Sequence, residues 1–421
     1  MAAANIAGYS AVIRTLYSRE RLHQLLLKQN PFLGRVRKVS EWKGNPRRLN
    51  VTIGEGGGAS ATFADSQNNV SQGTHVAFLV EPVRDYSEMR VDRMAMKVAA
   101  TPGATVDLIK SEGDLAMHRI RRSLGRGVWG NPGGAIGQIA SGSASEVLTL
   151  TNPSDVYNFA IGMVIESDDT DGTSGGAADG QGVAITGIDY DAGTIRKAAG
   201  SNWNASGNFA ADDYLFREGD FGLKMTGVQA WIPGTAPVLG SDDFHSLDRG
   251  VAPTHLAGHR IEATVAEDGT ISNALDRSAS LVHTFGGMPD EIWFNPRTLQ
   301  KFTKELGDAK QYVQVLARGG DGKEIARVSY SGIKLLTAFG EMTCLSDPSC
   351  PVDTAFMIES DSWALESAGE APHWVTDGEG KLRVVEDADE LRSYLAFYGN
   401  LVCEKPLYQA RIDLSDLTNP G

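Results

Sequence analysis

Cysteine is scarce: Cys344, Cys350 and Cys403 are the only three in 421 residues. Three cannot build a disulfide framework, and without a CxxC pair they give structural zinc little support, so a reducing compartment fits the chain. Long apolar runs are missing as well. No stretch approaches 18 apolar residues, and Arg14 interrupts the N-terminus before the apolar segment of a signal peptide develops, so neither membrane spanning nor export is expected. Positive charge is in deficit. The 39 Lys and Arg against 53 Asp and Glu leave −14, a surface that on average repels phosphate backbones, so any nucleic-acid contact has to be local. What is present in quantity is glycine, 48 residues or about 11% against a usual figure of roughly 7%, which speaks against a helical bundle. With 41% hydrophobic residues the chain can bury substantial cores, and its length allows about two to four domains.

Charge is distributed unevenly. Residues 1–50 hold ten basic side chains against Glu20 and Glu41, so this stretch is +8 and the remainder −22. Leu16, Leu22, Leu25, Leu26, Phe32 and Leu33 give the same stretch too much apolar surface for a solvated terminus, and it reads as an arm that packs on something. A hairpin follows: a strand near Leu49–Ile53, a flexible, polar, glycine-rich tip from Gly54 to Gly73, then strands in His75–Val80 and Arg90–Val98. Opposed strands of about ten residues project roughly 30 Å, and the tip has little apolar mass of its own to bury. From Thr105 to Trp129, Val106, Ile109, Gly113, Ala116, Ile120, Leu124 and Val128 recur at spacings of three and four, the pattern of a long amphipathic helix. Asp107, Glu112 and Asp114 occupy its first half and Arg119, Arg121, Arg122 and Arg126 its second, matching the helix dipole. Residues 140–222 carry short strand candidates at Val147–Leu150, Met163–Glu166, Gly182–Asp189, Gly193–Lys197 and Tyr214–Arg217 between Gly, Asp, Asn and Ser clusters. They predict a small β-barrel or sandwich of charge −10, inserted with an outward face. Past Leu223, helices at Ser272–Phe285 and from Asn295-Pro296 alternate with strands at Glu291–Phe294, Gly332–Ala338, Ala355–Glu359, Lys381–Val385 and Leu391–Val402, so the class is α+β and not doubly wound.

Catalytic and cofactor patterns find little support. Gly54-Glu55-Gly56-Gly57-Gly58-Ala59 satisfies G-x-G-x-x-A after a strand, yet Ser60-Ala61-Thr62-Phe63 leads into a polar loop instead of the helix that would face a pyrophosphate. His255 and His259 stand four apart near Asp242, Asp243, His245 and Asp248, but the general-base Glu of H-E-x-x-H is missing and Gly258 weakens the helix that would aim both rings. Aligned as a calcium loop, Asp168-Asp169-Thr170-Asp171-Gly172 places Ser167 at the first ligand position and Ala178 where the bidentate Glu belongs. No cofactor, metal or catalytic residue is expected. A metal-dependent hydrolase using His255 and His259, or a DNA-binding protein using the basic arm, stand as alternatives to a structural role.

An arm and a hairpin that cannot satisfy themselves within one chain look built to lie across neighbouring copies. The chain resembles the major capsid proteins of tailed bacteriophages, with the Hong Kong ninety-seven-type fold. The resemblance is carried by Ile13-Arg14-Thr15-Leu16-Tyr17-Ser18-Arg19-Glu20 with Asn30-Pro31-Phe32-Leu33, Ser60-Ala61-Thr62-Phe63-Ala64, Arg84-Asp85-Tyr86 and the Thr105–Trp129 helix. It continues in Asp213-Tyr214-Leu215-Phe216-Arg217-Glu218-Gly219-Asp220, Leu256-Ala257-Gly258-His259-Arg260, Pro289-Asp290-Glu291-Ile292, Asn295-Pro296 and Tyr398-Gly399-Asn400-Leu401-Val402. It implies an N-arm (1–48), an E-loop hairpin with adjoining P-domain strands (49–100), the P-domain spine helix (101–139), an inserted β-barrel-like domain (140–222), and an A domain with returning P-domain strands (223–421). It further implies a non-enzymatic subunit that forms pentamers and hexamers and closes into an icosahedral shell around double-stranded DNA. Such a virion capsid would assemble in the host bacterial cytoplasm. Expected contacts between subunits are Arg14, Tyr17, Arg19, Arg21, Phe32, Arg35, Arg47, Arg48, Phe63, Asp65, Arg119, Arg122 and Arg126. No lysine lies between Lys43 and Lys97, so the Lys–Asn isopeptide weld of some relatives is not expected. The sequence opens directly on the arm, so scaffolding is expected to be separate or absent, and portal and decoration proteins are further possible partners.

Overall fold

The computed structural model describes residues 30–94, 102–306, 314–318, 324–328, 333–337, 340–369, 371–375, 383–384 and 389–418. The chain enters on a short helix, α1 (Pro31–Arg35), which begins on a proline where a missing N–H costs nothing. Strands β1 (Arg37–Val39) and β2 (Arg47–Gly54) lead to a small helix α2 (Phe63–Asn68), after which β3 (Thr74–Val80) returns antiparallel to β2 with Arg47 opposite Val80. The next strand is β4 (Val83–Asp92), earlier than the expected Arg90–Val98, whose last residues lie outside the described ones. Its inward positions are Asp85, Ser87, Met89 and Val91, and the two polar ones hide the alternation from a hydrophobicity reading. Helix α3 (Pro102–Gly127) follows, burying Ile109, Ala116, Ile120 and Leu124 along the expected stripe.

Strands β5 (Gly137–Ser141), β6 (Val147–Leu150), β7 (Val164–Asp168), β8 (Val183–Asp189) and β9 (Thr194–Lys197), helix α4 (Trp203–Gly207) and strand β10 (Tyr214–Arg217) come next. The six strands close into a barrel in the order β10-β5-β6-β9-β8-β7. Its core is separate from that of the body and is built from Ile139, Leu148, Ile165, Ile185, Ile195, Trp203 and Leu215 among others. The barrel begins ahead of the expected boundary at 140. Strand β5 has one fully buried apolar residue, Ile139, and so no alternation to announce it.

The body continues with α5 (Val228–Trp231), a two-strand turn of β11 (Asp243–Phe244) and β12 (Leu247–Asp248), α6 (Pro253–Ala257), β13 (His259–Glu262), α7 (Ile271–Thr284), β14 (Glu291–Phe294) and α8 (Pro296–Glu305). Thr270 and Asn295 cap α7 and α8 through their side-chain oxygens. Then come β15 (Gln314–Arg318), β16 (Glu324–Val328), β17 (Ile333–Thr337), β18 (Gly340–Ser346), β19 (Thr354–Ile358), β20 (Trp363–Ser367), β21 (His373–Trp374), β22 (Arg383–Val384), β23 (Glu390–Cys403), β24 (Ala410–Asp413) and a final turn α9 (Ser415–Thr418). Two sheets organise them. One runs β13-β24-β19-β14-β18-β17; the other runs β1-β20-β23-β21, with β4 and β22 also on β23. Strand β4 pairs with β23 from Val83 opposite Gly399 to Asp92 opposite Glu390, so the front and the end of the chain share one sheet. Among the described residues no helix is long and apolar enough to cross a membrane.

The sheets, the long helix and the entering segment meet at one aromatic cluster. Phe32 of α1 lies 4.6 Å from Trp129 just past α3, 5.2 Å from Trp293 of β14 and 6.3 Å from Trp363 of β20, and Trp129 reaches Phe356 of β19 at 5.5 Å. All five rings are essentially fully buried. Their backbone is pinned alongside: Phe32 N–H donates to Asp347 Oδ2 at 3.2 Å, and Asn30 Nδ2 donates to the Arg121 carbonyl at 3.2 Å. Burial pushes the Asp347 carboxyl up, against the pull of the Ser349 and Phe32 amides. The Asn30 carboxamide fits against α3 because position 125 has no side chain; a Cβ there would collide with it.

Gly125→Ala therefore tests how the entering segment is held. In an open helix this change stabilises by about 1 kcal/mol; here urea denaturation should show a loss of about 1–3 kcal/mol from overpacking. Combining it with Asn30→Gly should recover part of the loss, a coupling read from the double-mutant cycle.

Candidate inter-subunit surfaces

The expected contact residues fall into three groups. Arg14, Tyr17, Arg19 and Arg21 lie outside the described residues. A second group turns out to be tied within its own chain. Phe32, expected to meet a neighbour, is 1% exposed inside the aromatic cluster and has no surface left to offer; one apolar residue in a basic stretch gives no sign of which chain it packs on. Arg35 Nε donates to Glu291 Oε1, and Arg47 Nε donates to both oxygens of the buried Glu366, at 2.8 and 3.2 Å. Arg48 Nε donates to Asn50 Oδ1 at 3.1 Å and stays at the surface.

The third group reaches the surface, Arg126 in part and the others fully. At the end of the β2–β3 hairpin the expected flexible loop is instead a folded knob. Thr62 caps α2, accepting from the Asp65 amide at 3.2 Å while its hydroxyl donates to Asp65 Oδ2 at 2.6 Å. Gly57 N–H donates to Ser71 Oγ, and a side chain on Gly57 would strike the Asn69 carbonyl, so the glycines let the two limbs of the tip close on each other. That arrangement leaves Phe63 79% and Val70 73% exposed. The capping signal Thr62-x-x-Asp65 was available in the sequence, hidden by the glycines around it. Glu55 and Asp65 are the charged residues between Gly54 and Thr74, so the knob is apolar and acidic with no cation.

Arg119, Arg122 and Arg126 line one wall of a cleft of about 820 Å³ between α3 and the barrel. Leu115 from α3 and Ile161 from the barrel border it, 50% and 69% exposed. Each arginine donates to a carbonyl: Arg119 Nε to Leu115 at 3.3 Å, Arg122 Nη1 to Phe159 at 3.3 Å, and Arg126 Nη2 to Asn158. No carboxylate among the described residues lies within ion-pair distance of the three. Burial lowers the Arg126 pKa to about 9, with Arg122 and Arg217 adding like-charge repulsion and Asp155 and Asp220 opposing it; Glu88, Glu218 and Asp220 also line the cleft. The other cations of the cleft are already matched: Arg217 and Lys224 both pair with Asp85 and Asp220 at 2.9–3.3 Å. Sequence reading found the arginines and missed the apolar half, although Leu115 sits off the buried stripe of α3 and could have marked it.

The residues considered for metal chemistry are placed otherwise. His255 lies in α6 and His259 opens β13, with Gly258 between them at φ +69°. The His259 ring packs 4.9 Å from Phe285 and is 4% exposed. Among the described residues one grouping of three potential ligands occurs, Asp168, Asp169 and Asp179, and it does not include either histidine. Asp168 is taken up locally, accepting from the Thr170 amide and hydroxyl at 2.9 and 2.6 Å and from the Asp179 amide at 3.1 Å. The three cysteines are buried, and burial raises the pKa of each.

Comparison with known proteins returns structures alone: no protein-family model matches the chain, and no protein of curated function matches it. The chain is similar to the capsid asymmetric unit of cyanophage A-1(L), at 11% identity and a TM-score of 0.51, over 93% of this chain and 92% of that one. It also aligns with the capsid of a native GTA particle, at 10% identity and a TM-score of 0.43 over 92% and 90% of the two chains. A further alignment is with the holo-SrpI encapsulin complex from Synechococcus elongatus PCC 7942, at 10% identity and a TM-score of 0.42 over 96% and 90%. At such identity what is shared with the cyanophage capsid chain is the fold.

The buried His259 makes stability depend on pH. Burial depresses its pKa from 6.5 to about 4, with neighbouring Arg260 acting in the same direction, so the ring is neutral in the native state at pH 7. Its contribution is complete above pH 6.5 and is lost as pH falls toward 4, by up to roughly 3 kcal/mol. Urea midpoints measured from pH 7 to 4 should drop for the parent chain and drop less for His259→Leu.

Proposed function

We propose that this chain, which carries the Hong Kong ninety-seven-type fold of phage major capsid proteins, is the structural subunit of an icosahedral shell. The observation that carries the reading is the likeness to the cyanophage capsid chain, which runs through more than nine-tenths of both chains. On this reading the protein self-assembles as pentamers and hexamers, the shell encloses double-stranded DNA with weak non-specific contact, and the virion capsid forms in the host bacterial cytoplasm. Separate scaffolding, portal and decoration proteins complete its partners.

Two physical features support this assignment. The hairpin knob presents Phe63 and Val70 to solvent, and covering both on a neighbour contributes about 3–6 kcal/mol per subunit. Repeated over a closed shell, burial of that size outweighs exposed ion pairs, most of which contribute under about 1 kcal/mol. The charge imbalance points the same way, since a +8 segment at residues 1–50 can lie over bodies that carry −22. A hydrolase built on His255 and His259 has less to stand on: the backbone parts the two residues at Gly258, and His259 is enclosed by apolar packing.

Negative-stain imaging of the purified chain, alone and co-expressed with its neighbouring gene products, should show closed megadalton particles that survive moderate NaCl. Phe63→Ser should raise the concentration needed for assembly by roughly tenfold or more, one lost apolar contact per subunit. A chain that stays monomeric under all these conditions overturns the reading.

A further inference from the structure

Two tyrosines of the barrel stack on each other in the open. Tyr157 belongs to a short 3₁₀ helix (Pro153–Asn158) and Tyr190 to the turn between β8 and β9. Their ring centroids lie 5.4 Å apart with planes 23° from parallel, yet the two residues are 54% and 48% exposed. The turn does not need Tyr190 in order to close. Asp189 Oδ1 accepts from the Asp191 and Ala192 amides, each at 3.0 Å, and Gly193, at φ +65°, lies so near Pro153 that a Cβ there would collide with it. Arg297 of α8 reaches the same place from the body: its Nη1 donates to Ser154 Oγ, and its guanidinium carbon stands 5.7 Å from the Tyr157 centroid. Among the described residues no ring or cation other than Tyr157 stacks on Tyr190, and no carboxylate pairs with Arg297.

The result is an aromatic platform with hydrogen-bonding groups beside it. An aromatic face carries partial negative charge and attracts the polarised C–H groups of a flat partner. The exposed Asp189 and Asp191 carboxylates accept from hydroxyls, and the remaining N–H groups of Arg297 donate to oxygens. A pyranose ring matches that combination, with C–H groups on its face and hydroxyls around its edge. A nucleobase also stacks on tyrosine, but residues 140–222 carry −10, which repels the phosphate that accompanies it. A purely apolar partner would strip water from the two carboxylates and give them nothing in return. We infer that the exposed face of Tyr190, backed by Tyr157 and flanked by Asp189, Asp191 and Arg297, binds a neutral saccharide. The inference goes beyond the shell reading and gives the barrel a recognition role of its own.

Saturation-transfer difference NMR on the purified full-length chain tests this, with cellohexaose, maltohexaose and chitohexaose as probes and adenosine monophosphate as the stacking control. At least one oligosaccharide should receive saturation at its ring C–H protons, and adenosine monophosphate should receive none above background. Tyr190→Ala should weaken binding of that oligosaccharide about tenfold or more, whereas Tyr190→Phe, which keeps the stacking face, should hold it within about threefold. Both variants should keep the parent urea midpoint, because other groups close the turn, and retention by Tyr190→Phe separates a lost face from a disturbed fold. Three results overturn the inference: no transfer to any of the oligosaccharides, transfer that Tyr190→Ala leaves unchanged, or transfer to adenosine monophosphate equal to or above that to the sugars. Each leaves the shell reading standing, since particle imaging decides that separately.

Discussion

The insertion of Phe32 among Trp129, Trp293 and Trp363 is the contact on which the architecture depends. Each ring comes from a different element: the entering helix, the end of the long helix, and one strand from each of the two sheets. Three buried indoles around one phenyl ring supply apolar area that no single helix–sheet contact provides, and their edge-on and tilted geometry adds roughly 0.5–1.5 kcal/mol per pair beyond burial. Because Asp347 and Asn30 fix the backbone on either side of the ring, the point from which the basic N-terminal segment departs is set by the core itself.

A second ordering principle is which charges are satisfied at home. Arg35 and Arg47 find buried carboxylates in Glu291 and Glu366, and Arg217 and Lys224 close a network with Asp85 and Asp220. These join the front of the chain to the sheets and the barrel to β4. Removing one partner from such a pair strands a charge in a poorly solvated place, which costs far more than the pair itself gains. The arginine row of α3 has no such partner within the described residues. The contrast separates cations held in ion pairs within the subunit from cations held by carbonyl oxygens alone, a distinction that net charge and residue type cannot make.

Much of this was legible in sequence, for identifiable reasons. Strand Tyr214–Arg217 and strand Glu291–Phe294 were read to the residue, and helices α7 and α8 were placed by the chemistry of their ends, Thr270 apart, with Asn295, Pro296 and Gly286 where helix termini want them. Strand β20 is hidden because two of its five buried residues, Glu366 and Ser367, are polar, which breaks the continuous apolar run that marks the equally buried β14 and β19. Strand β4 was displaced because buried Asp85 and Ser87 occupy core-facing positions. The candidate surfaces were half visible: residue type singled out the arginines and Phe63, whereas the fate of Phe32 and the apolar wall at Leu115 and Ile161 depend on contacts between segments tens to hundreds of residues apart.

The barrel shows how those long-range contacts decide the function of a region that looks autonomous. It has its own closed sheet and its own core, so in isolation it could sit at any angle to the body. What removes that freedom is polar. Arg122 and Arg126 reach from α3 to the carbonyls of Phe159 and Asn158, and Arg217 and Lys224 share Asp85 and Asp220 at the base of β10. These bonds are directional, whereas an apolar interface of the same size would tolerate sliding. The orientation they impose holds Ile161 across from Leu115 with the arginine row between, and a cleft of fixed shape exists only as long as they hold. The same guanidiniums thus position the barrel through some of their N–H groups, and the charge of Arg126 also acts on Asp155 across the joint, so that body and barrel are held in register by direction and by charge together.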